Sequence, residues 1–268
     1  MLNWLTQWFD SIERHVDIPV LYQAWSAGRF HYVGLLAVIA LAWFSYAISR
    51  HAKAKRLFRY LGFLTVLGIL GELFRQVFVL SQNDWSYSWS YFPYTFYMSA
   101  LIAGLGIIIF NDSFLGKTFQ SYVGSFGFCG ALLVLVRPDA FYGQSFILNV
   151  LTIFHHGLIL AMSLALIANR RMLLYRWFLG AASWMLLFTG LGYGIGYLLN
   201  AHADVGPYRL FFITPPEMGM VTGWFVSMQE RLPTEQFTLL YYGVFVLVAF
   251  VTLNFAVYIM DRLAWEKA

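Results

Sequence analysis

The sequence predicts an all-α, polytopic membrane protein: a seven-helix transmembrane bundle with its N-terminus outside and its C-terminus in the cytoplasm. Three observations predict it. Seven long apolar segments run along the 268 residues. The composition is 60% hydrophobic and only 11% charged, far from the ~25% charged of a soluble domain. Basic residues crowd alternate connections between the apolar segments, which is the bias that orients membrane proteins. Helices are expected because lipid leaves no water to satisfy exposed backbone groups.

Residues 1–30 precede the first span. Trp4, Leu5, Trp8, Phe9 and Ile12 recur at helical spacing and make one apolar face, so this segment predicts an interfacial amphipathic helix. Asp10, Glu13, Arg14 and Asp17 interrupt it, and it does not read as a signal peptide. Runs of about 20 apolar residues are long enough to cross ~30 Å of hydrocarbon. They place spans at 31–49, 57–80, 91–110, 118–136, 146–168, 174–199 and 236–260. Residues 31–268 therefore read as one transmembrane domain, with no linker and no clear internal repeat. The missing repeat weighs against a transporter built from two related halves.

Between these spans, two outer connections stand out. The stretch from Asp84 to Tyr91 alternates aromatic and polar residues, as an aromatic belt at the headgroup level does. The connection at about 201–235 carries Pro207, Pro215, Pro216 and Pro233 around the apolar Met218, Met220, Val221, Trp224, Phe225 and Met228. A short interfacial or re-entrant helix capping the outer mouth is expected there, since connections this long are seldom empty. In the sixth span, Gly192 and Gly196 form a small-xxx-small pair, a pattern for close helix packing.

Orientation follows from the 17 basic residues. Arg50, Lys53, Lys55, Arg56 and Arg59 fall between spans one and two, and Lys117 follows the third span. Arg170, Arg171 and Arg176 fall between spans five and six, and Arg262 and Lys267 end the chain. All of these lie on one side, which the positive-inside rule makes cytoplasmic. The net charge of +4 is thus a topology signal and an attraction to anionic inner-leaflet lipid, with no call for nucleic acid.

Polar groups inside the bilayer are the candidates for chemistry, because their desolvation is costly. Glu72 and Arg75 stand at i and i+3 in the second span, where they can pair on one helix face. His155 and His156 lie near the middle of the fifth span, and His31 opens the first. Adjacent helical residues point about 100° apart, so only one of the two neighbouring histidines can face a given cavity squarely. Thr95 and Tyr97 bring hydroxyls into the third span behind Pro93, a residue suited to a first helical turn. Asn200 ends the sixth span. These observations define a polar pocket opening towards the outer leaflet and lined by His31, Glu72, Arg75, Thr95, Tyr97, His156 and Asn200. The single cysteine, Cys129, makes no internal disulfide and reads as a packing residue. His31, Glu72 and His156 are spread over three helices and do not indicate the three or four convergent ligands of a metal site. No phosphate loop, HExxH or Ser-centred elbow appears, and no cofactor is implied. The seventh span has no lysine for a retinal Schiff base.

Three short stretches carry a family resemblance. They are Phe92-Pro93-Tyr94-Thr95-Phe96-Tyr97 at the third span, Phe154-His155-His156-Gly157-Leu158-Ile159-Leu160 in the fifth, and Asn200 followed by Gly206-Pro207-Tyr208 and Pro215. In order and spacing the chain resembles the YwaF-like integral membrane proteins. These share a seven-span bundle with a eukaryotic cysteine-dependent phospholipid acyltransferase group. The resemblance covers most of the chain, from His31 to the seventh span. It implies a third-span cysteine nucleophile with a histidine base, a pairing suited to thioester exchange. Here Tyr97 stands at the cysteine position and Thr95 at the histidine position, while His156 is retained. A phenol stays protonated near neutral pH and is a poor nucleophile. The resemblance therefore implies a multi-pass cell-membrane protein that binds membrane lipid or another amphiphile, with acyl-transfer chemistry lost or altered. The alternative is a permease-like transport component working with a membrane-protein partner.

Overall fold

The computed structural model describes residues 3–14, 29–81, 96–136, 145–202 and 231–265. Within them it is helical, with no strand. In chain order the helices are α1 (Asn3–Arg14), α2 (Arg29–Ser49), α3 (Ala54–Ser81), α4 (Phe96–Phe110) and α5 (Phe114–Tyr122). A π-helical stretch (Val123–Gly127) joins α5 to α6 (Phe128–Val136). There follow α7 (Phe146–Arg176), α8 (Phe178–His202) and α9 (Thr234–Trp265). Among the described residues, five helical segments are long and apolar enough to cross a membrane: Phe30–Ser49, Ala54–Ser81, Phe114–Val136, Phe146–Arg176 and Leu239–Arg262. Met98–Phe110 and Phe178–Leu191 are apolar but shorter over their described residues. The chain is thus an all-α polytopic bundle.

The centre of the bundle is α7 together with the α5–α6 segment. Of their apolar windows 83% is buried, against 28% for α2 and α9. Tyr122, Phe126, Ile159, Ala161, Met162 and Leu166 fill this centre. Leu36, Phe63, Leu73, Leu179 and Phe255 point outwards and stay exposed. A water-soluble protein seldom exposes so much contiguous apolar surface, whereas a bundle in lipid has no reason to hide it.

Local chemistry sets the helix ends. Asn111 takes a left-handed conformation (φ 47°) and stops α4, a geometry Asn tolerates better than most residues. Its carbonyl accepts from Gln120 Nε2 at 3.0 Å. Gly116 lies directly against that carbonyl, leaving no room for a side chain. Ser113 Oγ accepts from Gly116 N at 3.2 Å and caps α5. Ser145 Oγ does the same for α7 through Leu148 N at 3.2 Å. Such caps satisfy donors that have no partner inside the helix.

α7 runs past the expected end of the fifth span, with a break in helical geometry at Arg170 (φ −127°, ψ 20°). The polar run Asn169-Arg170-Arg171 reads in sequence as a loop, yet each member is engaged. Asn169 Nδ2 donates to Ser49 O at 2.6 Å and Ala52 O at 2.9 Å. Arg170 pairs with Asp112 through two hydrogen bonds of 3.0 and 3.3 Å, and its guanidinium lies over the Phe58 ring. Arg171 pairs with Asp261. Only Trp177 separates α7 from α8, and its ring meets Phe114 edge-on at 5.0 Å. One end of the bundle therefore gathers the α2–α3, α4–α5 and α7–α8 turns and the end of α9.

The opposite end is joined by α1. Phe9 is buried against Phe74 and Phe78, with ring centroids 5.7 and 4.9 Å away. Val79, Ile147, Leu148 and Leu151 complete that cluster. Thr6 Oγ1 donates to Ser81 O at 2.7 Å, while Trp8 is half exposed. The expected amphipathic helix thus docks one aromatic residue into the bundle. The side chains of Trp4, Leu5 and Ile12 lie outside the described residues, as do the Asp84–Tyr91 stretch and most of the 201–235 connection.

Candidate functional site

Glu72 and Arg75 lie on α3, both only 5% exposed. The i,i+3 spacing puts them on one face, and they form a two-point ion pair. Arg75 Nε donates to Glu72 Oε2 at 2.8 Å, and Arg75 Nη2 donates to Glu72 Oε1 at 2.9 Å. Gln76 Nε2 also donates to Glu72 Oε1, at 2.5 Å. The carboxylate thus accepts three hydrogen bonds from its own helix. A two-point guanidinium–carboxylate contact fixes both side chains in direction as well as in charge.

α3 admits close neighbours on the preceding turn. A Cβ on Gly68 would run into Leu101 of α4. A Cβ on Gly71 would fall 2.6 Å from a Phe154 ring carbon and 3.1 Å from His155 Nε2 on α7. Small residues at such points let helix backbones approach and polar groups reach across. His155 makes use of this. Its Nε2 sits 3.2 Å from Gly68 O and its Nδ1 2.8 Å from Leu151 O. A neutral ring has one N–H and serves one of these carbonyls at a time. The imidazole thus bridges α7 to α3, one turn before Glu72.

His156 follows the other face of α7. Its Nδ1 is 2.8 Å from Thr152 O. One and two turns on, Ile159 and Ser163 meet Gly127 of the π-helical stretch, and Ser163 Oγ donates to Val123 O at 2.7 Å. Of the two neighbouring histidines, His155 is the one set against the α3 cluster. His31 is buried at the start of α2 beside Tyr32, ring centroids 6.0 Å apart. Thr95 lies outside the described residues, and Tyr97 and Asn200 are described in backbone only. The structure therefore brings Glu72 and Arg75 together. It adds Gln76 and His155 to them, and it places His156 on another face of α7, with its Nδ1 beside Thr152 O.

A second buried polar group was not legible in the sequence. Ser99 Oγ and Tyr122 OH share a 2.6 Å hydrogen bond, and the Tyr122 ring stacks on Phe126 at 5.6 Å. Nothing in the spacing of these residues marks them as partners, because they stand on two successive helices and only the packing of α5 against α4 brings them together. Cys129 is buried in the apolar core and free. Among the described residues no group of three or more His, Cys, Asp or Glu converges on a point where a metal ion could be held.

The cluster can hold an ionic or zwitterionic group. It offers a buried guanidinium and carboxylate with an amide beside them. No family model, no curated protein and no solved structure matches this chain.

Proposed function

We propose that this is a cell-membrane protein of the YwaF-like kind that holds a lipid or other amphiphile by its headgroup at the Glu72–Arg75–Gln76 cluster. Acyl-transfer chemistry is lost or altered in it. One observation carries the reading: a two-point ion pair, 5% exposed, sits inside a span and is closed by a third polar residue. Ionised groups at such depth are costly and usually mark a pathway or a ligand. An incoming phosphate can take over donors that Arg75 and Gln76 now give to Glu72, and a headgroup ammonium can take over the carboxylate. The absence of a thiol from this group fits loss of the acyl-transfer route, since Cys129 packs in the apolar core on α6.

In this reading the end rich in arginine faces the cytoplasm, and the cluster lies in the outward half. Labelling from outside, in a Cys129→Ala background, should modify a cysteine at Ser88 and spare one at Ala54. The reverse pattern sinks the orientation.

The binding reading is tested by native mass spectrometry of the full chain in detergent. The wild type should carry a lipid-sized adduct that Glu72→Gln and Arg75→Gln lose. Adducts retained equally by both variants would remove the cluster from the ligand site. Incubation with a phospholipid labelled in its acyl chain separates binding from catalysis. A covalent acyl mass on the protein would restore the enzyme reading.

A further inference from the structure

At the arginine-rich end, α3 and α4 part to leave an open groove of about 450 Å³. Lys55, Phe58, Arg59, Gly62, Ile108 and Asn111 line it. Lys55 and Arg59 stand one helical turn apart, on the same face of α3, and both are exposed. Among the described residues, neither makes a hydrogen bond or ion pair. This sets them apart from Arg170 and Arg171 at the same end, whose charges are matched by Asp112 and Asp261.

Beyond the two cations the groove turns apolar. Gly62 removes a side chain from its floor, where the nearest atoms are those of Ile108, 3.6 Å from a Cβ built there. Exposed Phe63, Val66 and Ile109 continue the surface along α3 and α4. A doubled positive charge at the mouth of an apolar channel matches one occupant in charge and in shape. We infer that this groove is a binding site for an anionic phospholipid, with its phosphate between Lys55 and Arg59 and an acyl chain laid past Gly62 against Ile108. Basic clefts between spans take acidic lipids because each cation near the surface adds attraction to a negative headgroup. A free phosphate would use the two cations and leave the apolar half of the groove uncovered. This site is independent of the Glu72 cluster, which lies towards the other end of α3.

Titration of the full chain in detergent with phosphatidylglycerol or phosphatidylcholine, read by native mass spectrometry, tests the inference. The anionic lipid should bind more tightly than the zwitterionic one. The double variant Lys55→Gln/Arg59→Gln should weaken phosphatidylglycerol binding roughly tenfold or more, given two lost cation contacts. Both side chains are exposed and without hydrogen bonds, so the fold does not depend on them. Gly62→Leu should also weaken lipid binding while keeping both cations, and its Cβ meets only ordinary contact distances. Arg56→Gln, exposed on the same turn and outside the groove, should bind as the wild type does. Equal loss in Arg56→Gln would reduce the effect to diffuse surface charge and overturn the site. Displacement of the lipid by excess inorganic phosphate, with Gly62→Leu binding normally, would show a phosphate site and overturn the lipid assignment. Unchanged affinity in the double variant would do the same.

Discussion

The two ends of the bundle handle polar groups in opposite ways. At the arginine-rich end, polar side chains join elements far apart in the chain. Asn169 reaches the α2–α3 turn, Arg170 reaches the α4–α5 turn, and Arg171 reaches α9. Towards the other end, the buried carboxylate of Glu72 takes partners from its own helix, at i+3 and i+4. There the described elements meet chiefly through apolar packing of Phe9, Phe74 and Phe78 and the close approach of α7 over Gly71, with Thr6 and His155 adding single hydrogen bonds to backbone carbonyls of α3. The difference follows from solvent. Exposed side chains can wait for a distant partner in water, whereas a charge in hydrocarbon needs its partner from the moment of insertion. A partner on the same helix is the only one then guaranteed.

Substitutions can break this comparison, and the largest effect should come from the buried pair. Glu72→Leu strands Arg75 without its counter-charge and should destabilise the protein by about 3–5 kcal/mol. Glu72→Leu combined with Arg75→Leu should recover most of that loss. Equilibrium denaturation in detergent measures both, and a double variant as weak as the single one would mean the pair acts as more than mutual neutralisation. Next in size, Gly71→Val forces a branched side chain into Phe154 and His155. The overpacking should cost about 1–3 kcal/mol, seen as a lowered unfolding midpoint. A neutral outcome would show that α3 and α7 have slack between them.

Smaller effects are expected where water is near. Asn169→Ala removes both hydrogen bonds to the α2–α3 turn, whose part-buried carbonyls water can reach, and should cost about 0.5–1.5 kcal/mol. The loss should appear as faster backbone hydrogen exchange around Ser49 and Ala52, and unchanged exchange there would remove Asn169 from its stitching role. Asp112→Asn breaks only a partly exposed pair, and ~0–1 kcal/mol is expected. The wild-type margin over this variant should shrink as salt is raised. A loss as large as that from Glu72→Leu would erase the distinction between the two ends.

What could be read from the sequence follows the same division. Apolar length is a local property, and the expected spans at 31–49 and 57–80 coincide closely with α2 and α3. The Glu72–Arg75 pair was legible because both partners sit on one helix at a spacing that forces them together. Which of His155 and His156 meets α3 was not legible, since a rotation of 100° is settled only by the packing of a neighbouring helix. The length of α7 was misjudged because Asn169, Arg170 and Arg171 look like loop residues until their partners on three other elements are seen. Phe9 was legible as part of an apolar helical face, but its partners Phe74 and Phe78 were not, since helical periodicity cannot bring residues of another helix to it.

The π-helical stretch Val123–Gly127 bears on how this chain tolerates insertions and deletions. A π turn holds one residue more than the α turn it replaces. Loss of one residue there would let an unbroken α-helix form, with no gap in the backbone. The wider π turn advances and rotates the chain about as far as the α turn with one residue fewer, so the two halves of the segment would keep their faces. Phe119, now stacked on Trp184 at 4.3 Å, and Tyr122, bonded to Ser99, could keep their places while Cys129 and Leu135 kept theirs. A single-codon deletion should therefore be tolerated better within Val123–Gly127 than in the regular helix on either side, where it would turn one half against the other by about 100°.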